Sequence, residues 1–511
     1  MTMKQLSHNG VIVPKYEARG FHILLRGKSI DLISEQEEMA VAWVKKLGTE
    51  YVKDSVFERN FFDDFGAALG LKNNEKDNEK EKISAADVDF SEIIKVVEKE
   101  RNERLNMPKE EKKKLAAERK KIRETNKEKY GHAIVDGVDV ELGNYLAEPS
   151  SIFMGRGKHP LRGKWKNGAA EEDITLNLSP GTPRPAGKWK EIVWMPDCMW
   201  VARWDDKLRG REKYVWLSDT SFVKQEREME KFNKAIELGR KYEMLRKYIS
   251  DSLSSAELKT RKVATVCYLI DALSLRVGDE KDEDEADTVG ATTLTSKNVE
   301  IEGNLVKFDF LGKDSVRWQK DVELPEQVVK NLKEFMSQSE SEKSETEIFK
   351  GIRSENVNEF LSIMVPGISA KVFRTFHASK VVDDYLKKVK VNKEDAADYK
   401  KYVATMANLQ AAVVCNHKRK LPVKWNEVLQ KKIDGLKVLK EKKGKRAPER
   451  VKAMELKIKL MKETKDYNLN TSLKSYIDPR VYYKWSKKAE FDWKKYYPKT
   501  LQRKFSWVEE K

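Results

Sequence analysis

Cysteine is scarce. The 511-residue chain has three, Cys198, Cys267 and Cys415, far apart. An odd, scattered set makes neither a disulfide framework nor a zinc-ligand cluster, and it fits a reducing intracellular compartment. Apolar runs long enough to span a bilayer are missing, as is an N-terminal signal peptide, so the expectation is a soluble protein away from membranes. There is no glycine-rich phosphate loop and no cluster of carboxylates spaced for a metal pair. The sequence therefore calls for no cofactor: no ATP, and a divalent metal at most as a stimulant. No internal repeat is found.

What is abundant is charge. Lys and Arg number 101 against 84 Asp and Glu, a net of +17. That balance favours a polyanionic partner, most commonly nucleic acid, although highly solvated helices carry similar charge densities. Residues 420–465 hold 16 Lys/Arg and 6 Asp/Glu, so more than half of the net charge sits in this one segment. Val428, Leu429, Ile433 and Leu436 mark one helical stripe there, and Val451, Met454, Ile458 and Met461 a second. Gly444-Lys445-Arg446-Ala447-Pro448 reads as the turn between them. The result is a basic helical hairpin too thin to have its own core.

Elsewhere the periodicities change along the chain. Val11–Val13 and Phe21–Leu25 read as short strands, with helices from about Ser34. Residues 72–84 read as a charged loop and 107–130 as an exposed helix. Residues 151–218 mix Gly, Pro and Trp with short alternating runs, giving short strands and surface loops. Ser254-Ser255-Ala256-Glu257 predicts a capping box, followed by a helix whose buried stripe is Val263, Val266, Ile270 and Leu273 and which stops at Gly278. Residues 299–322 alternate with period two around Gly303-Asn304 and Gly312-Lys313-Asp314, a three-stranded meander. The fold class is α+β and multidomain.

Five residues carry candidate chemistry. Tyr476, in Lys474-Ser475-Tyr476-Ile477-Asp478-Pro479-Arg480, is a candidate nucleophile. A free phenol, with a pKa of about 10, needs adjacent cations to act near neutrality. Arg276 extends the stripe of Leu273, and Arg374 shares a face with Ala370, Ala378, Val381 and Tyr385. A guanidinium on an apolar face is either in a structural ion pair, for Arg276 with Glu280 or Asp287, or faces a bound anion. Two of them can clamp the non-bridging oxygens of one phosphate. Lys313, at the meander tip, is either solvated or a mobile proton donor. His417 ends a helix running from about Glu394, where the helix terminus favours imidazolium; it is a cap or a donor to phosphate.

The segments LSLRVGDEKDEDEADTVGATTL, FDFLGKDSVRW, KVFRTFHAS, VVCNHKRK and SYIDPR occur in this order. Upstream stand YEARGFHILLRGKSIDL, VFERNFFDDF, GRGKHP and AGKWKEIVW. Together they resemble the eukaryotic, nuclear type IB DNA topoisomerases, the topoisomerase I family, over about Lys4 to Val508. The resemblance implies a bilobed clamp, a monomer encircling double-stranded DNA. Its parts would be a mixed α/β cap lobe (1–221), a mainly helical catalytic core (222–419), the helical-hairpin linker (420–465) and a small helical C-terminal domain (466–511). It implies that Tyr476 attacks a phosphodiester to form a 3′-phosphotyrosyl bond. Arg276 and Arg374 would stabilise the phosphorane, His417 would hydrogen-bond a non-bridging oxygen, and Lys313 would protonate the 5′ oxygen. It also implies DNA contacts at Arg156, Lys158, Arg162, Thr288, Asp314, Lys418 and Ser475. Rotation of the free strand would relax supercoils of either sign without ATP or an obligatory metal.

The chain also departs from the family pattern. It opens almost at the core, whereas members with a long charged tail use that tail for nuclear targeting. The address implied is the nucleus or, for a large DNA virus, a viral factory or virion. The hairpin is shorter than in many animal members. Leu161 stands where a basic lip residue is usual, so a lip ion pair would shift to Arg162 and the acidic run Asp282-Glu283-Asp284-Glu285. Ser475 replaces the common Asn before the nucleophile, which implies reduced camptothecin sensitivity. A tyrosine recombinase shares the five-residue chemistry but lacks the cap motifs, and a non-catalytic DNA clamp would have no need of all five residues.

Overall fold

The computed structural model describes residues 2–71, 82–279, 288–340, 347–441 and 447–509. The chain divides into two compact units, Met1–Lys224 and Gln225–Lys511. It is an α+β protein with small sheets among many helices.

The first unit holds two cores. In one, His22–Leu25 pairs with Lys28–Asp31 and Val88–Asp89, and Ile23 and Leu25 alternate inward. The strand packs with the helices Ser34–Val44 and Ser55–Ala68. Asp54 starts the second of these helices by accepting from Val56 N and Phe57 N, so two otherwise orphaned donors are satisfied. Phe57, Phe61, Phe62 and Phe65 recur at helical spacing, and Trp43 stacks on Phe61 at 4.6 Å. The other core lies under the sheet Leu6–His8, His132–Val135 and Val138–Glu141. It is shared with a four-stranded sheet of Glu191–Val193, Thr175–Asn177, Trp200–Asp206 and Arg211–Trp216, whose first pair is parallel. The exposed helix read over 107–130 is Lys109–Tyr130, with no buried residue. Val11–Val13 forms only a single bridge, Ile12 to Leu146. Pro14 lacks the N–H that would extend the ladder.

In the second unit the helix Leu258–Leu273 buries Val263, Val266, Ile270 and Leu273. Both of its ends differ from the sequence expectation. Glu257 is the N-cap residue, and its N–H is taken by Ser255 Oγ, so no Ser254–Glu257 box forms. The helix stops at Leu273, five residues before Gly278, with Ser274 left-handed (φ 52°). Arg276 is therefore not on the helical stripe but on an extended run beyond it. That run is tied to a second segment by Ala291 N donating to Arg276 O and Thr292 N to Val277 O. The approach needs glycine on both sides. A Cβ on Gly290 would sit 2.4 Å from Gly278 Cα, and Gly278 has φ 125°.

The meander is Val299–Glu302, Leu305–Gly312 and Val316–Glu323, antiparallel throughout. Val306, Phe308 and Phe310 point into the core, and Phe310 stacks on Trp318 at 5.2 Å. Its tip, Lys313–Ser315, is one turn of 3₁₀ helix. The basic segment forms the helices Trp425–Glu441 and Ala447–Glu463, linked by Lys440–Glu455 at 2.8 Å. Ala447 and Pro448 open the second helix; residues 444–446 of the expected turn lie outside the described residues. No residue of Trp425–Glu441 is buried, whereas Ile458 of its partner is. A last core gathers Phe232, Ala404, Leu473, Tyr482, Trp485 and Phe505.

Candidate active site

Tyr476 sits where one helix stops and the next is forced to begin. Leu469–Ser475 ends with Tyr476 as its C-cap residue. Pro479 then occupies the first turn of Pro479–Lys488, and Asp478 caps that helix by accepting from Arg480 N at 2.9 Å. Proline suits a first turn but disfavours helical geometry in the residue before it, so the chain cannot run straight through. The phenol is thereby held at a helix junction. Ser379 Oγ pins the break, donating to Tyr476 O and accepting from Asp478 N.

Arg374 is 6% exposed and projects from the helix Ala370–Lys388. One terminal nitrogen donates to Ser274 O and the other to Cys415 O at 2.8 Å. Both acceptors lie just past helix C-termini, where carbonyls carry partial negative charge. Its Cζ is 5.2 Å from the Tyr476 ring centroid. Its Nε is buried and meets no acceptor within hydrogen-bond geometry among the described residues. A charged donor left unmatched in the interior is costly, so an incoming acceptor is favoured there.

His417 follows Asn416, which is left-handed (φ 51°), beyond the helix Ala397–Val414. Its ring lies 5.0 Å from that of Tyr476. Nδ1 is 2.8 Å from Ser472 Oγ, and Nε2 is 3.4 Å from Arg374 Nη2. Arginine only donates, so Nε2 accepts and Nδ1 carries the proton. The imidazolium expected from the helix end is not favoured. Burial first, then the charges of Arg374 and Arg276, lower the pKa to about 3. Desolvation and two cations outweigh the weak helix-terminal field.

For Tyr476 the same neighbours act in the opposite sense. Burial raises the phenol's pKa, but the charges of Arg374 and Arg276 overcome it, and the net shift is downward. Arg276 is half-buried, and no hydrogen bond or ion pair to its guanidinium occurs among the described residues. Glu280 and Asp287, the partners considered for it, lie outside that set.

A cleft of about 920 Å³ is lined by Tyr476, Arg374, Arg276, Lys313, Thr288 and Ser475, among others. A smaller cavity of about 270 Å³ shares Arg276, Lys313 and Arg374 and adds His417 and Lys418. The five candidate residues therefore converge, although they are spread over 201 positions, from 276 to 476. Asp314 stands in the tip turn, but its side chain is outside the described set. Arg156, Lys158 and Arg162 belong to the first unit. Arg156 and Lys158 are exposed, and Arg162 Nε donates to Asp54 at 2.8 Å. The acidic run 282–285 considered as a partner for Arg162 lies outside the described residues.

Sequence reasoning missed the support beneath the nucleophile. Lys231 Nζ donates to Ser475 O at 3.0 Å, and Lys504 Nζ to Lys474 O at 3.2 Å. Both ammoniums also pair with Glu228. Only the Glu228/Lys231 spacing was visible in sequence, and it is that of any surface helical pair. Among the described residues no group of three or more His, Cys, Asp or Glu is gathered to hold a metal. No described helix is long and apolar enough to cross a membrane.

Comparison with known proteins matches three family descriptions in sequence order. Residues 1–217 match the DNA binding fragment of eukaryotic DNA topoisomerase I, 220–450 its catalytic core, and 448–511 a C-terminal topoisomerase domain. DNA topoisomerase 1 beta of Arabidopsis thaliana is 35% identical over 99% of this chain and 58% of its own length. DNA topoisomerase 1 of Homo sapiens is 33% identical over 99% of this chain and 70% of its own length. That of Drosophila melanogaster is 32% identical over 98% and 54%. The chain thus spans little more than half the length of the plant and fly relatives.

Proposed function

The chain belongs to the eukaryotic DNA topoisomerase I family, and from that premise we propose that it is a type IB DNA topoisomerase acting as a monomer on duplex DNA. The observation that carries the reading is the buried guanidinium of Arg374. It is fixed by two helix-end carbonyls, its Nε meets no acceptor among the described residues, and it lies beside Tyr476 and His417. This is a ready seat for one anionic oxygen next to a phenol of lowered pKa.

In the proposed reaction the Tyr476 oxygen, its proton lost to solvent, attacks the phosphorus of one strand. The new P–O bond is a 3′-phosphotyrosyl ester, and the P–O5′ bond breaks. Lys313 gives its proton to the departing 5′ oxygen. Arg276 and Arg374 take up the charge that builds on the non-bridging oxygens. His417, held neutral before DNA arrives, takes a proton from solvent at Nε2 and becomes a donor there once phosphate charge offsets the two guanidiniums. The free end rotates, and the 5′ hydroxyl then attacks the phosphotyrosyl ester, returning the phenol. Bond number is conserved, so no ATP and no obligatory metal are required in this proposal. Thr288, Asp314, Lys418 and Ser475, with Arg156, Lys158 and Arg162 of the first unit, are proposed DNA contacts that position the duplex by its backbone. A nuclear address is proposed, with a viral factory or virion as the alternative for a viral source.

The test is relaxation of negatively and positively supercoiled plasmid in EDTA without ATP, for wild type and Tyr476→Phe. Wild type should relax both signs, and Tyr476→Phe should bind DNA and relax neither. Tight binding without relaxation by wild type would instead indicate a clamp without chemistry.

A further inference from the structure

A second large concavity lies in the unit that carries Tyr476, at the far end of the Arg374 helix. Its volume is about 1020 Å³. Its walls are the C-terminal part of Ala370–Lys388, with the residues after it, and the helix Pro479–Lys488. From Arg374 to Lys387 the helix advances about 20 Å at its usual rise, so the groove is separate from the catalytic cleft. The proposed reaction uses none of its residues.

The lining has two parts. The rim is cationic. Lys390, Lys484 and Lys488 are exposed, and among the described residues no ion pair or hydrogen bond involves their ammoniums. Among the described residues the one lining carboxylate, Asp383, is already paired with Lys387. The floor is apolar, with half-buried Val389, Val391 and Val481 over buried Leu386 and Trp485. An occupant that satisfies both parts must bring several negative charges and apolar side chains on one short stretch.

Duplex DNA meets only half of this demand. Its phosphates suit the lysines, but a stiff helix has no apolar group to place in a concave floor. Single-stranded nucleic acid needs open aromatic faces on which to stack bases. Trp485 and Trp507 are 8% and 6% exposed, Arg480 lies over the Trp507 ring at 5.5 Å, and the half-buried ring of Tyr483 is covered by Lys487 at 4.6 Å. An amphipathic peptide with acidic residues fits both. Aliphatic or aromatic anchors enter the floor and carboxylates meet the rim, which is peptide-in-groove recognition with complementary charge. We propose that this groove docks an acidic amphipathic segment of a partner protein.

Fluorescence anisotropy on the full chain tests this with four labelled probes. One is a short peptide alternating Glu with Leu and Phe. The others are its Gln-for-Glu counterpart, a Glu/Ser peptide without anchors, and a single-stranded thymidine oligonucleotide. The acidic amphipathic peptide should bind saturably, and each altered peptide should bind at least about tenfold more weakly. The combined Lys390→Glu, Lys484→Glu, Lys488→Glu variant should lose about tenfold in affinity for it, with plasmid relaxation and melting temperature unchanged. Val391→Asp, which alters the floor and not the charge rim, should weaken it too. No saturable binding by the folded wild type overturns the proposal, as does equal binding of the Glu/Ser peptide. Tighter oligonucleotide binding that is lost in the charge-reversed variant would reassign the groove to nucleic acid. The binding readout is independent of whether the protein relaxes DNA.

Discussion

His377 Nε2 lies 2.8 Å from Asp271 Oδ1, and this bond joins the end of one helix to the flank of another. Asp271 is 7% exposed and sits two residues before the helix Leu258–Leu273 ends. His377 is three residues along its helix from Arg374. Tyr242 donates to the same carboxylate at 2.9 Å, and Arg246 approaches it at 3.6 Å. Burial, then the Asp271 charge, hold the Tyr242 phenol above its ordinary range, so it stays a donor. Ser274, whose carbonyl receives Arg374, lies three residues beyond Asp271. The pair therefore sets how the helix end and the Arg374 helix meet.

His377→Ala should consequently slow strand cleavage by about tenfold and change duplex affinity little, because it acts through Arg374 and not on DNA. It should also cost about 1–3 kcal/mol of stability by leaving the buried carboxylate short of a partner. Single-turnover cleavage and thermal melting check both. His377→Gln, whose amide nitrogen can reach the place of Nε2, should recover most of the rate. If Ala and Gln behave alike, the pair does not position Arg374.

His417 and His8 give the protein an acid-side weakness. Burial lowers His8 to about 4, and burial with two arginine charges lowers His417 to about 3. Unfolded histidine titrates near 6.5. Between those values the unfolded chain binds protons that the folded chain refuses, so stability is full above about pH 6.5 and falls as pH drops toward 3–4. The loss at His417 amounts to a few kcal/mol at most. His417→Asn keeps a donor for Ser472 and removes the titration. Its urea midpoint should fall less than that of wild type between pH 7 and pH 4.5, and an identical fall would show that His417 is not the group responsible.

Much of this arrangement was legible in the chain. The meander with Lys313 at its tip follows from strict alternation around Gly303 and Gly312, and the helical hairpin from two apolar stripes in a lysine-rich segment. The helix start at Asp478-Pro479 also carries a sequence signal, an Asp cap before a first-turn proline, but it was not drawn from the sequence. Arg276 misled because a 3–4 stripe says where a helix is buried, not where it stops. Ser274 turns left-handed without the glycine that usually signals a cap. The charge state of His417 was illegible for a different reason. It depends on two arginines 43 and 141 positions away in sequence, brought close only by the fold. The groove at Lys390 and Lys484 is likewise built by two helices far apart in sequence.

The lysines under the nucleophile make a sharper test of how Tyr476 is held. Lys504 is 7% exposed and reaches the carbonyl of Lys474 and, at 3.3 Å, the carboxylate of Glu228. Lys231 takes the next carbonyl, Ser475 O, and shares that carboxylate; burial lowers its pKa even though Glu228 opposes the shift. One negative charge thus anchors two cations on the last carbonyls before Tyr476. Lys504→Met conserves side-chain volume and removes a buried charge, and replacing a buried ion pair by apolar packing is often neutral for stability. Glu228 keeps Lys231, so no carboxylate is stranded. The variant should therefore melt within a few degrees of wild type and bind duplex normally, yet cleave about tenfold more slowly because the Tyr476 oxygen is less well aimed. Glu228→Gln should do the reverse, losing stability outright by leaving the buried Lys504 ammonium and the half-buried Lys231 ammonium uncompensated. Cleavage by Lys504→Met at the wild-type rate would mean that Ser379 and the Asp478-Pro479 junction hold the nucleophile without help from the C-terminal helix.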